Sequence, residues 1–246
     1  MIATHLAQEI SLIVLILLYG TVLARLVPRR FHIILNLGIA FTAILLGLGF
    51  GLTPREMGIS IYTIAYGIVI AAGASVVIAV GTMLIALIPF LRKFFLGDNL
   101  SKASGKLIAF EAAIRIPFST ALIEEVLFRG VLLGLLLTNY PTMLALLYSA
   151  IVFGLWHIFP TIATLEQNDV TAAAIQRKKR RKYAGIIGTV TITTVAGIIF
   201  GYLRILANSI IAPWLVHWTI NASGVAGIYL ARKITERSIP KEPIDE

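Results

Sequence analysis

The sequence predicts an all-α, polytopic transmembrane helical bundle. Three observations carry that expectation. Of the 246 residues, 58% are hydrophobic and only 13% charged, which is too apolar for a soluble domain. Uncharged stretches recur along almost the whole chain, and Lys and Arg gather between them. A single integral-membrane domain over 1–246 follows, with no separate soluble module. The absence of cysteine excludes disulfides, thiolate metal sites and a cysteine nucleophile. A net charge of +9 would point to nucleic acid in a soluble protein. Here the basic residues set membrane orientation instead.

A helix needs about 20 mostly apolar residues to cross the hydrocarbon core, and seven stretches qualify in order. Ile10 to Ala24 is short; with no basic region ahead and Arg25, Arg29 and Arg30 behind, it reads as an anchor rather than a cleaved signal. Phe31 to Leu52 follows, then Thr53-Pro54 and Gly58 as a turn. Ile61 to Leu91 is long enough to tilt or to contain a break near Gly73. After Gly97-Asp98-Asn99, Glu111 and Arg115 stand four apart among apolar residues, the pattern of an interfacial amphipathic helix. Ile116 to Thr138 and Thr142 to Phe159 are divided by Asn139-Tyr140-Pro141. Tyr183 to Leu203 and Ser209 to Ala231 complete the set.

Seven crossings distribute the loops alternately, which gives a charge test. Seventeen Lys and Arg fall on one side, including the run Arg177 to Lys182, against Arg55 and Arg204 on the other. The expected arrangement has the N-terminus outside and the C-terminus in the cytoplasm, in a prokaryotic plasma membrane. The basic run reads as a topology anchor in a solvated loop.

A charge at the bilayer centre costs about 3 kcal/mol even on lenient scales, so each one there needs a partner or a role. The fourth span holds Glu124, Glu125 and Arg129, the fifth Phe153 and His157, the seventh His217 and Asn221. Glu125 and Arg129 are four apart on one face and suit an intrahelical ion pair. Glu124 is turned by about 100° from Glu125 and lacks that counter-charge. Burial without a counter-charge makes a carboxylate basic enough to take a proton from water. His157 shares a face with Phe153, as Asn221 does with His217, so two helices present polar groups inward and one cavity would hold them with Glu124.

Glu124-Glu125-Val-Leu-Phe-Arg129-Gly130 matches an EExxxR motif, Phe153 to His157 an FxxxH motif, and His217 to Asn221 a histidine followed four residues later by asparagine. In that order these resemble the CAAX-protease and bacteriocin-processing (CPBP, Abi) family of intramembrane proteases, which includes the type II CAAX prenyl endopeptidases. The motif-bearing core covers about residues 100–231.

The resemblance implies an intramembrane endopeptidase in which Glu124 activates water, His157 assists it, and His217 and Asn221 bind the oxyanion. Glu125 and Arg129 would support the site, in a cavity in the cytoplasmic half of the membrane. An alternative assignment uses Glu124, His157 and His217 as ligands of Zn²⁺ with a fourth position open to water; no other cofactor is expected. The expected partners are a peptide or membrane-protein substrate, with or without a lipid, and membrane lipids. Two competing functions use the same residues: a non-proteolytic binding or immunity protein, and a proton-coupled transporter. The second fits less well, since neither repeated halves nor paired interrupted helices are visible.

Overall fold

The computed structural model describes residues 2–93, 95–96, 103–166 and 175–238, among which there are helices and turns and no strand. The helices are α1 (Ile2–Leu26), α2 (His32–Gly49), α3 (Ile64–Leu87), α4 (105–139), α5 (Thr142–Trp156), α6 (Ile158–Glu166), α7 (Ile175–Ala207) and α8 (Ile211–Ser238). The expected all-α bundle is therefore the observed one.

Among the described residues, five helices are long and apolar enough to cross a membrane: His5–Leu26, Arg29–Gly49, Ile61–Leu87, Thr142–Thr164 and Lys182–Ala207. The remaining two expected spans are the continuous helices α4 and α8, long enough to cross but carrying the charged groups. Large apolar side chains such as Ile34, Val69, Val77 and Ile192 stand at least 70% exposed. Such a surface suits lipid rather than water.

Connections between the helices meet at two ends of the bundle. At one end, Asn139, the last residue of α4, and Tyr140 after it donate to Glu9 of α1 at 2.7 and 2.9 Å. There too the N–H of Ile210 donates to Gly58 O at 2.9 Å. At the other end, Arg25 lies over the Phe159 ring, 5.3 Å from its centroid, and Arg232 donates to Ala103 O at 2.7 Å. Arg25 and Arg232, of the basic segments, thus lie at this second end.

Three expectations change. α3 runs straight through Gly73, and the helical path breaks instead at Ile88, which is extended (ψ 119°) because Pro89 follows it. The segment around Glu111 and Arg115 is not a separate surface helix. It is the first part of α4, with Glu111 buried and held by Arg115 at 2.6 Å. The basic run begins inside α7 rather than in a loop; the side chains of Arg177 to Arg181, like the turn Gly97-Asp98-Asn99, lie outside the described residues.

α4 is the axis of the fold. From Ile123 to Leu136 every residue is buried, and α1, α2, α5, α7 and α8 all pack on it. Two stretches, Glu111–Ala121 and Glu125–Leu132, adopt the wider π-helical register, which bonds residue i to i+5 and is uncommon outside functional sites. Pro117 has no N–H, so in that register the carbonyl of Ala112 loses its partner. Trp218 supplies one, Nε1 donating to Ala112 O at 2.7 Å, and Trp214 Nε1 donates to Pro117 O at 2.8 Å. Further along, Ser149 Oγ donates to Phe128 O at 3.0 Å and the Asn36 amide to Ser119 O. Neighbouring helices are thus hydrogen-bonded into the widened axis.

The turn between α2 and α3 closes one end over α4. Leu52 and Met57 are buried, and the turn's backbone rests on two glycines of α4. A Cβ on Gly134 would stand 3.0 Å from Glu56 O, and one on Gly130 3.5 Å from Met57 O. Gly58 has φ +67°, a conformation that glycine adopts without the steric cost of a Cβ.

Candidate active site

Each candidate residue is held at a specific point of the bundle. Glu124 and Glu125 lie near the middle of α4, because that helix begins well before Ile116, the expected start of its span. His157 is the single residue between α5 and α6 (φ −78°, ψ −6°). His217 lies in the second turn of α8 and is buried.

The structure brings Glu124, His157 and His217 together. Glu124 Oε2 is 3.8 Å from His157 Nε2 and 3.9 Å from His217 Nε2. Neither separation is a hydrogen bond, and Glu124 Oε2 is buried without a partner. The far side of each imidazole is fastened. His157 Nδ1 is 2.8 Å from Phe153 O, and His217 Nδ1 is 2.8 Å from Glu125 Oε1. A carbonyl and a carboxylate only accept, so Nδ1 of each ring carries the proton and a neutral ring turns the bare lone pair of Nε2 toward Glu124. With both rings neutral and Glu124 ionised, three acceptors face one small space.

Around this centre the supporting groups interlock. Glu125 is fully buried, and its Oε1 also accepts from Arg129 Nη1 at 3.3 Å, so the expected ion pair forms. The guanidinium, 1% exposed, lies between aromatic rings, 4.0 Å from the Phe153 centroid and 5.1 Å from that of Phe200. Those rings also hold the two histidines. Phe153 meets His157 edge-on at 4.7 Å, and Phe200 stacks on His217 at 4.9 Å with planes 20° apart. Phe200, and the Glu125–His217 bond, were not foreseen in the sequence. Phe200 is one aromatic among many apolar residues of α7, with no spacing to mark it.

Asn221, one turn beyond His217, is partly exposed and makes no side-chain hydrogen bond among the described residues. Side-chain exposure is 21% for His157, 10% for Glu124 and 8% for His217, so the centre is reached past His157. A cavity of about 340 Å³ between α6 and α7, lined by Thr161, Thr164, Gly185 and Thr189, begins one turn beyond it.

The donor set of Glu124, His157 and His217 suits zinc chemically. Ligands sharing one tetrahedral ion at about 2.0–2.1 Å stand about 3.4 Å apart. The separations of 3.8 and 3.9 Å are wider, and the described residues hold no group of three with metal-ligand spacing.

Residues 107–223 match the family model of the type II CAAX prenyl endopeptidases, Rce1-like. The match covers just under half of the chain, contains every candidate site residue, and is consistent with the CPBP resemblance read from the motifs. That family is one of proteases. No curated protein and no solved structure matches the chain.

Proposed function

We propose that this membrane protein is an endopeptidase of the CAAX-protease type, hydrolysing a peptide bond with a water activated by Glu124. The observation that carries this reading is the convergence of Glu124 Oε2 with the bare Nε2 atoms of His157 and His217. Acceptors gathered without a donor are costly in a buried site. A water answers the need, since it gives two protons to acceptors and keeps a lone pair for attack.

In the proposed reaction the water oxygen bonds to the scissile carbonyl carbon while one of its protons passes to Glu124. His157 holds the water in line. The oxyanion is stabilised by the Asn221 amide, which closes on the substrate, and by His217, whose Nε2 takes up a proton from solvent water before attack and returns it when the oxyanion collapses, Glu125 compensating the charge in between. Donors fixed in a water-poor site are worth about 3 kcal/mol each in comparable reactions. As the C–N bond breaks, Glu124 returns its proton to the leaving amine. The three-residue centre also suits Zn²⁺ if the side chains draw together, so a chelator control belongs in the test.

We further infer an integral-membrane location with the basic end in the cytoplasm, and a peptide or membrane-protein substrate, lipidated or not. The test compares wild type with Glu124→Gln on quenched fluorescent peptides, prenylated and unprenylated. Cleavage by wild type alone supports the reading. Equal cleavage by the two, or none of any peptide, removes it in favour of a different base or of a binding protein.

A further inference from the structure

We propose a second binding site, for a zwitterionic phospholipid head group bearing a primary amine, at the end of the bundle away from the basic loops. It does not rest on the protease reading. A cavity of about 520 Å³ lies there between the turn after α2 and the last turns of α4 and α7, lined by Arg55, Glu56, Arg204 and Asn208 over apolar Leu137 and Ile205. Arg55 and Arg204 are the two basic residues that the loop count assigns to this end, and both line the one cavity.

Arg204 is 3% exposed, and no carboxylate pairs with it among the described residues. Its Nη2 donates to Glu56 O at 2.7 Å and Arg55 O at 3.5 Å, and its Nη1 to Asn208 Oδ1 at 3.3 Å. These neutral acceptors fasten the guanidinium without balancing its charge, and its Nε has no hydrogen-bond partner among the described residues. A buried, uncompensated cation is costly, and an anion in the adjoining cavity would relieve it. Arg55 is exposed and pairs with no carboxylate among the described residues. Among those residues the Asn208 amide nitrogen also has no partner, only its oxygen being used.

Glu56 adds the opposite charge. Its Oε2 accepts from both the N–H and the hydroxyl of Thr53 at 2.7 Å, leaving Oε1 uncommitted. Two guanidiniums and an amide nitrogen complement a phosphodiester, and one carboxylate complements an ammonium beside it. The size falls within the usual range for ligand sites, about 300–1,000 Å³. The flanking helices α4 and α7 end here, at Asn139 and Ala207.

The experiment is native mass spectrometry of the detergent-purified protein with phosphatidylethanolamine or phosphatidylglycerol of identical acyl chains, and with inorganic phosphate as competitor. Wild type is expected to retain the ethanolamine lipid in clear preference, with millimolar phosphate displacing it. Arg55→Ala, at an exposed position, should weaken retention about tenfold with an unchanged melting temperature. Glu56→Gln should erase the preference between the lipids without erasing binding. Equal retention of both lipids by wild type, or undiminished retention by Arg55→Ala, overturns the proposal.

Discussion

Glu125 Oε1 on α4 accepts from His217 Nδ1 on α8 at 2.8 Å, and the same oxygen is shared with Arg129 at 3.3 Å. One buried carboxylate thus both neutralises a buried guanidinium and orients an imidazole on another helix. Replacing it with Gln keeps an acceptor for His217 but strands the charge of Arg129. Breaking a buried pair from one side costs about 3–5 kcal/mol. Glu125→Gln is therefore expected to lower the melting temperature in detergent markedly and to reduce activity with it.

Glu124→Gln should behave in the opposite way. Glu124 Oε2 has no hydrogen-bond partner, so removing its charge relieves an unpaired group. Stability is expected to stay level or rise, while turnover falls by about 10²–10⁴, the usual worth of a general base. Melting curves of the two glutamine variants, measured side by side, separate the base from its support. A destabilised Glu124→Gln would count against the arrangement.

Phe200 stacks on His217 and flanks Arg129, so it acts through those groups. Phe200→Leu keeps most of the apolar volume and loses the flat face. Turnover is expected to fall about tenfold, in line with aromatic contacts of about 1 kcal/mol, with KM nearly unchanged and an altered pH profile. A change confined to KM would show that Phe200 touches substrate instead.

Gly154, one turn before His157, sits where α5 meets α7. A Cβ there would lie 2.1 Å from Thr194 Oγ1 and 3.0 Å from Val190 O. The hydroxyl can turn aside, but the carbonyl belongs to the backbone of α7. Gly154→Val is expected to push α5 off α7 and destabilise the protein by about 1–3 kcal/mol or more. Thermal melting and the yield of folded protein from detergent report it.

The carboxyl of Glu56 is held below its usual range, first by the N–H of Thr53 and then by its hydroxyl. A group depressed in the folded state adds stability above its unfolded value and loses that contribution as pH falls through the lower, folded one. The melting temperature should therefore decline on acidification below about pH 4.5, the ordinary value for Glu, and Glu56→Gln should flatten that part of the profile. An identical acid decline in the variant would assign it to other carboxylates.

Much of the bundle was legible because hydropathy reports length and charge directly. The helices around the axis were each found from apolar runs, and the EExxxR spacing anticipated the Glu125–Arg129 pair, since i and i+4 share a face in either register. The start of α4 was missed because Glu111 and Arg115 read as surface groups; in the structure they neutralise one another and enter the bundle together. Of the two readings of the long third span, tilt or a break near Gly73, the break does not occur, because glycine permits a kink without imposing one, whereas Pro89 imposes one. The partners of Glu125 and Phe200 were out of reach: they depend on which helices adjoin, and no local spacing encodes adjacency.

His157 belongs to two helices at once. Its imidazole is moored to α5 through Phe153, by ring and by carbonyl, while its own carbonyl accepts from the N–H and hydroxyl of Thr161 on α6 at 3.1 and 2.6 Å. The tether to each neighbour is separate, so a tilt of α6 need not carry the ring with it. A change in the angle of α6 therefore leaves the imidazole with its bearing on Glu124.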